Sequence, residues 1–116
     1  MTRQQAIERL LSAWNINFAF DRAAVLASTV NDSFYYCDPH QQTPIIGAEQ
    51  FAEFLSIYRD RVPNATMALE GLVQSHQSHA YFRFQLQREK AKFASGCYFA
   101  DFDADGRIKR MVGFLD

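Results

Sequence analysis

The run "YCDPHQQTPIIG", Tyr36 to Gly47, places one carboxylate, Asp38, between an aromatic stretch and the start of a helix. Strand alternation turns Phe34, Tyr36 and Asp38 to one side. A carboxylate among aromatic rings is a stronger base than one in water, because desolvation penalises its charged form; such a base can take a proton next to a carbonyl. The same Asp-Pro pair also serves as plain turn chemistry, its carboxylate bonding nearby backbone N–H groups. His40, two residues on, either assists protonation at a pocket mouth or sits exposed in the loop.

Other chemistry-bearing groups form weaker patterns. Asp101-Phe102-Asp103-Ala104-Asp105-Gly106 copies the opening of an EF-hand calcium loop, but Val112 stands at the twelfth position, where a bidentate Glu is needed. The flanks alternate like strands, so a hairpin turn is the reading. His76 and His79 lie in a polar turn without helical ligand spacing, and no metal is expected. Cys37 and Cys97 lack the spacing of a nucleophile with its base and are read as free, packed thiols. No cofactor is expected.

The elements that must position these groups follow from periodicity. Thr2 with Gln5 reads as a capping box before Ile7, Leu10, Leu11 and Trp14, which predicts a helix to about Asn15. Asp21 is expected to cap a second helix through Val25, Leu26 and Thr29, stopped by Asn31-Asp32-Ser33 before an aromatic strand from Phe34 to Cys37. Gly47 opens a third helix carrying Phe51, Phe54, Leu55 and Tyr58 on one face and ending at Val62-Pro63. Residues 66–74, 79–88, 93–103 and 107–115 alternate as four strands joined by short turns, which predicts an antiparallel meander. In the second of these, Ala80, Phe82, Phe84 and Leu86 form the dry face. Helices first and a curved antiparallel sheet last make an α+β fold with three helices on one sheet face.

The whole chain bounds the answer. Its 116 residues suit one domain, 1–116. Eleven Phe, five Tyr and one Trp exceed what a minimal core needs, so some are expected to line a cavity. With 12 basic and 13 acidic residues the net charge is −1, which supplies no basic field for nucleic acid. The N-terminus starts a helix pattern at once, without the apolar run of a signal peptide, and no later run reaches membrane-spanning length; a cytoplasmic protein is expected.

The order of elements, with Asp38-Pro39, Pro44, Gly47 and the ending "DFDADGRIKRMVGFLD", resembles the NTF2-like superfamily, specifically its SnoaL-like and ketosteroid-isomerase-like branch. The resemblance covers nearly the whole chain. It implies a cone-shaped α+β barrel with an apolar pocket between the helices and the concave sheet face, and a homodimer through the convex face. On that architecture Trp14, Phe34, Tyr36, Phe54, Leu55, Phe82, Phe84, Leu86, Phe102, Met111, Gly113 and Leu115 are the expected lining. Arg83, Arg110, Val112 and Phe114 fall on the opposite face, a mixed surface suited to a subunit contact.

Asp38 matches the position of the proton-shuttling aspartate of ketosteroid isomerases. In those enzymes a Tyr and a protonated Asp stabilise the enolate oxygen. This chain departs at both positions, with Leu10 at the first and Tyr98 at the second. Tyr98 either donates to a ligand oxygen or is a core tyrosine bonded to a backbone carbonyl. Two functions stay open. One is a cofactor-free isomerase, cyclase or dehydratase acting on a small apolar or ring-containing molecule, with Asp38 moving the proton and Tyr98 polarising the oxygen. The other is a non-catalytic ligand-binding or dimerisation domain of the same fold.

Overall fold

The hydroxyl of Thr2 accepts from Gln5 N–H at 3.0 Å and Gln5 Oε1 accepts from Thr2 N–H at 2.9 Å, closing the predicted capping box. That box starts α1 (Arg3–Ser12) in a computed structural model that describes residues 1–116. Ala6, Ile7, Leu10 and Leu11 form its buried stripe. The backbone then tightens into a 3-10 turn, Ala13–Asn15, which carries Trp14 inward.

The second helix departs from expectation at both ends. α2 spans Ala19–Thr29 with Phe18 at its N-cap, so Asp21 lies in the first turn, where its charge favours the positive end of the helix dipole without capping it. Strand β1 (Val30–Cys37) follows with no loop, so Asn31-Asp32-Ser33 do not stop the helix but belong to the strand. The ladder slips between Val30 and Tyr35, and these polar residues occupy that irregular stretch, where Asp32 and Ser33 meet solvent.

After the two-residue strand β2 (Ile45–Ile46), Gly47 adopts φ of +95°, a left-handed setting open to glycine, and α3 (Ala48–Arg61) begins. Four strands follow: β3 (Ala65–His76), β4 (His79–Arg88), β5 (Ala91–Phe102) and β6 (Ile108–Leu115). They form the expected antiparallel meander in a six-stranded sheet of order β2-β1-β6-β5-β4-β3. The sheet is nevertheless mixed, because β1 runs parallel to β6. No hairpin joins these two strands; α3 and four strands intervene, which leaves their relative direction free of turn geometry.

The three helices cover the concave face, and the buried apolar residues of both layers form a single cluster of 21. Phe34, Phe51, Phe82, Phe102, Ile7, Leu10, Leu55, Ile108 and Met111 are its most enclosed members. Side chains also tie the helices to β3. Asn15 Nδ2 donates to Met67 C=O at 2.9 Å while its Oδ1 accepts from Met67 N–H at 2.8 Å. Gln4 Oε1 accepts from Val73 N–H at 2.8 Å, and Arg59 donates to Ala65 C=O. Between Glu70 and Gln74 the β3–β4 register shifts, with Gly71 at φ of +78°. No helix is long and apolar enough to cross a membrane.

Candidate functional site

Alternation along β1 points Phe34 and Tyr36 into the core, and the turn that follows brings Asp38 beside them. The two oxygens of Asp38 have different partners, and the turn reading is the one with its bond in place. Its Oδ1 accepts from the backbone N–H of His40 at 2.8 Å, the turn bond. Its Oδ2 accepts from the Tyr36 hydroxyl at 2.6 Å, and the Tyr36 and Tyr98 hydroxyls lie 2.9 Å apart.

A phenol has one proton, and an ionised carboxylate only accepts. With Tyr36 donating to Asp38, the Tyr98 hydroxyl must donate to Tyr36. The result is a directed chain, Tyr98 to Tyr36 to Asp38, leading from the buried interior to a half-buried carboxylate. Burial pushes the Tyr36 phenol well above its ordinary range, and the charges of Tyr98 and Asp38 add to that. Burial likewise pushes Tyr98 up; its hydrogen bond with Tyr36 offsets part of this, and Asp38 and Tyr58 add to the rise. Both phenols therefore stay neutral donors.

The position of Tyr98 is set by the sheet. On β5 it pairs with Phe82 of β4 and Gly113 of β6. Its ring packs on Phe84 at 4.8 Å between centroids and on Phe82 at 5.5 Å, with Trp14 at 6.3 Å above. The absent side chain of Gly113 makes room for it: a Cβ there would stand 2.5 Å from Tyr98 Cε1. Tyr36 is held by Phe51 at 4.9 Å and Phe54 at 5.4 Å.

Tyr36, Asp38 and Tyr98 all line a cavity of about 490 Å³. Trp14, Met67, Phe84 and Gly113 are further buried residues of its wall, with Phe54, Tyr58, Val62, Leu86 and Ala94 half-buried. Exposed residues complete it at the mouth: Pro39, His40, Ile57, Arg61, Phe93, Phe114 and Leu115, with the half-buried Gln41. Among the expected lining residues, Trp14, Tyr36, Phe54, Phe84, Leu86, Gly113 and Leu115 reach this cavity. Phe34, Leu55, Phe82, Phe102 and Met111 do not; they are enclosed in the core between helices and sheet. Their alternation is right, but which end of the cone stays open depends on sheet curvature.

Periodicity alone missed Met67, Ile57, Val62, Phe93 and the half-buried Tyr58. The signal available for Tyr58 was its hydroxyl, the single polar group on the stripe Phe51, Phe54, Leu55, Tyr58. On the convex side, Arg83 pairs with Asp116 and Arg110 with Asp101, and Tyr81, Phe99 and Phe114 form an aromatic row. His79 Nδ1 lies 2.6 Å from Asp101 Oδ1 on that side, away from the cavity.

No family model matches the chain, and no curated protein does. Solved structures do. One, described as a candidate isomerase of the SnoaL-like family from Agrobacterium tumefaciens, superposes with a TM-score of 0.90 at 24% identity, covering 100% of this chain and 99% of the other. A candidate ketosteroid isomerase from Kribbella flavida gives 0.73 at 14% identity over 98% of this chain and 77% of its own. A candidate SnoaL-like polyketide cyclase from Jannaschia sp. gives 0.71 at 17% identity, covering 97% and 85%.

Proposed function

We propose that this chain, which carries the NTF2-like α+β cone fold, binds a small, largely apolar carbonyl compound in the cavity and moves a proton on it without a cofactor. The observation that supports the reading is the directed chain from Tyr98 through Tyr36 to Asp38 along one cavity wall. Asp38 takes the proton from carbon next to the carbonyl. The C–H electron pair moves into the new enolate, and the carboxylate becomes a carboxylic acid.

That acid can now donate. Once the Asp38 acid hydrogen-bonds through its O–H to the Tyr36 oxygen, keeping the proton it has taken, the chain reverses: Tyr36 donates its hydrogen bond to Tyr98, and Tyr98 presents its own O–H to the cavity. A donor thus becomes available as negative charge develops on the substrate oxygen, which is when it lowers the barrier most. Return of the proton to a second carbon gives isomerisation, and attack of the enolate on an internal electrophile gives cyclisation. We assign the convex aromatic row to self-association, which sedimentation of the native protein tests.

The activity is tested by deuterium uptake. α-Tetralone incubated with the protein in D2O is expected to gain deuterium next to its carbonyl faster than in buffer, and Asp38→Asn is expected to lose that gain while keeping its fold by circular dichroism. Binding of α-tetralone without exchange would leave a ligand-binding domain as the function. Exchange that survives in Asp38→Asn would remove Asp38 from the mechanism.

A further inference from the structure

In the resting chain every proton is committed. Tyr98 donates to Tyr36 and Tyr36 to Asp38, so neither phenol has a proton for the carbonyl oxygen of an arriving substrate. Three side-chain polar atoms are buried without any partner: Arg22 Nε, Asn31 Oδ1 and the hydroxyl of Tyr58. Of their residues only Tyr58 lines this cavity.

Tyr58 sits on the last turns of α3, where the Val62 N–H bonds its carbonyl, so its backbone is held in the helix. The residue is half-buried as a whole, yet its oxygen is shielded from solvent. Burial raises the phenol above its ordinary value, partly offset by Arg59 and Arg88, so it stays protonated. Tyr58 and Tyr98 line the same cavity, Tyr58 from α3 and Tyr98 from β5. Hiding a hydroxyl without a partner is costly, and native proteins seldom do so without a use for it.

We propose that Tyr58 is the resting-state donor to the substrate carbonyl: it fixes the oxygen on the α3 side of the cavity and restricts the ligand class to apolar frames carrying a hydrogen-bond acceptor there. Tyr98 then joins only after Asp38 has taken the proton. The inference rests on reading this cavity as the substrate site, and it replaces an oxygen anchor at Tyr98 alone with two anchors used in sequence.

The test uses α-tetralone and tetralin, the same frame without the oxygen, titrated against the native protein and Tyr58→Phe by intrinsic fluorescence and calorimetry. The native protein is expected to bind the ketone more tightly than the hydrocarbon, and Tyr58→Phe to lose roughly three- to tenfold in ketone affinity, as one neutral hydrogen bond implies. Tetralin affinity should hold or improve. Because the hydroxyl removed has no protein partner, Tyr58→Phe should unfold no earlier than the native protein.

A native preference for the ketone below threefold, a preference retained in Tyr58→Phe, or earlier unfolding of that variant would each overturn the inference. The proton-transfer reading fails separately. If the native protein catalyses no exchange but Tyr58→Phe still loses ketone affinity selectively, the anchor stands and the chemistry falls. If exchange depends on Asp38 while ketone binding ignores Tyr58, the chemistry stands and the anchor falls.

Discussion

The ring of Tyr98 occupies the space that a side chain on Gly113 would need, with a built Cβ only 2.5 Å from Cε1 and 2.9 Å from Cδ1. The two residues pair across β5 and β6, so the small residue on one strand determines where the phenol on the other can lie. Gly113→Ala should therefore displace Tyr98 and separate its hydroxyl from Tyr36. A loss of about 1–3 kcal/mol in urea unfolding, typical of overpacking, is expected together with loss of deuterium exchange. Unchanged stability and exchange would show that the ring adapts in place.

Tyr36 is the middle of the chain and holds both ends. Tyr36→Phe keeps the ring packed on Phe51 and Phe54 but leaves the buried Tyr98 hydroxyl without its acceptor. The expected cost is about 1–3 kcal/mol, with exchange abolished although Asp38 is still present. Exchange at the native rate would mean that Asp38 works alone.

Alkali provides a readout independent of any ligand. Tyr36 and Tyr98 are both raised above the ordinary phenol value of 10.0 by burial. A phenol raised in the folded state contributes stability that is complete below the unfolded value and is lost as pH climbs through the folded one. Stability should thus fall from about pH 10 upward. Tyrosinate absorbance should lag behind that of the denatured chain, and Tyr98→Phe should show a shallower decline. A native titration matching the denatured one would contradict the burial of these hydroxyls.

One turn is built from residues poorly suited to it. Glu89 and Lys90 link β4 to β5 with φ of 52° and 66°, the left-handed pair that Asn-Gly adopts with least strain. Replacing them with Asn-Gly should stabilise the protein by about 1 kcal/mol. The thermal midpoint checks it, and a fall would show that the side chains of Glu89 and Lys90 do more than close the hairpin.

The helices and the meander were legible because each is a local statement. The capping box at Thr2 and Gln5, the stripe on α3 and the alternation of Ala80, Phe82 and Phe84 depend on neighbours a few residues away. The parallel pairing of β1 with β6 was not legible, since it joins Tyr36 to Met111 across most of the chain. Asp38 was identifiable as a candidate, but its dual bonding required knowing that Tyr98 would arrive beside Tyr36. The cavity wall divided along the same line. Trp14, Phe84 and Leu86 reach it and Phe34, Phe82 and Met111 do not, although both sets share one alternation, because the opening is made by curvature.

The side chains that hold α1, the 3-10 turn and α3 against β3 also have a consequence beyond this one molecule. β3 is the long outer strand of the sheet, and β2 at the other margin is only two residues. An uncovered outer strand offers unpaired N–H and C=O groups on which another chain can build, the first step towards fibrils. Asn15 occupies both groups of Met67, Gln4 takes the N–H of Val73 and Arg59 the C=O of Ala65, while the shift near Gly71 bends the remainder out of line. Three polar side chains thus occupy edge groups at Ala65, Met67 and Val73, positions where a strand from another molecule would otherwise pair, so the contacts that seat the helices also discourage aggregation along this edge.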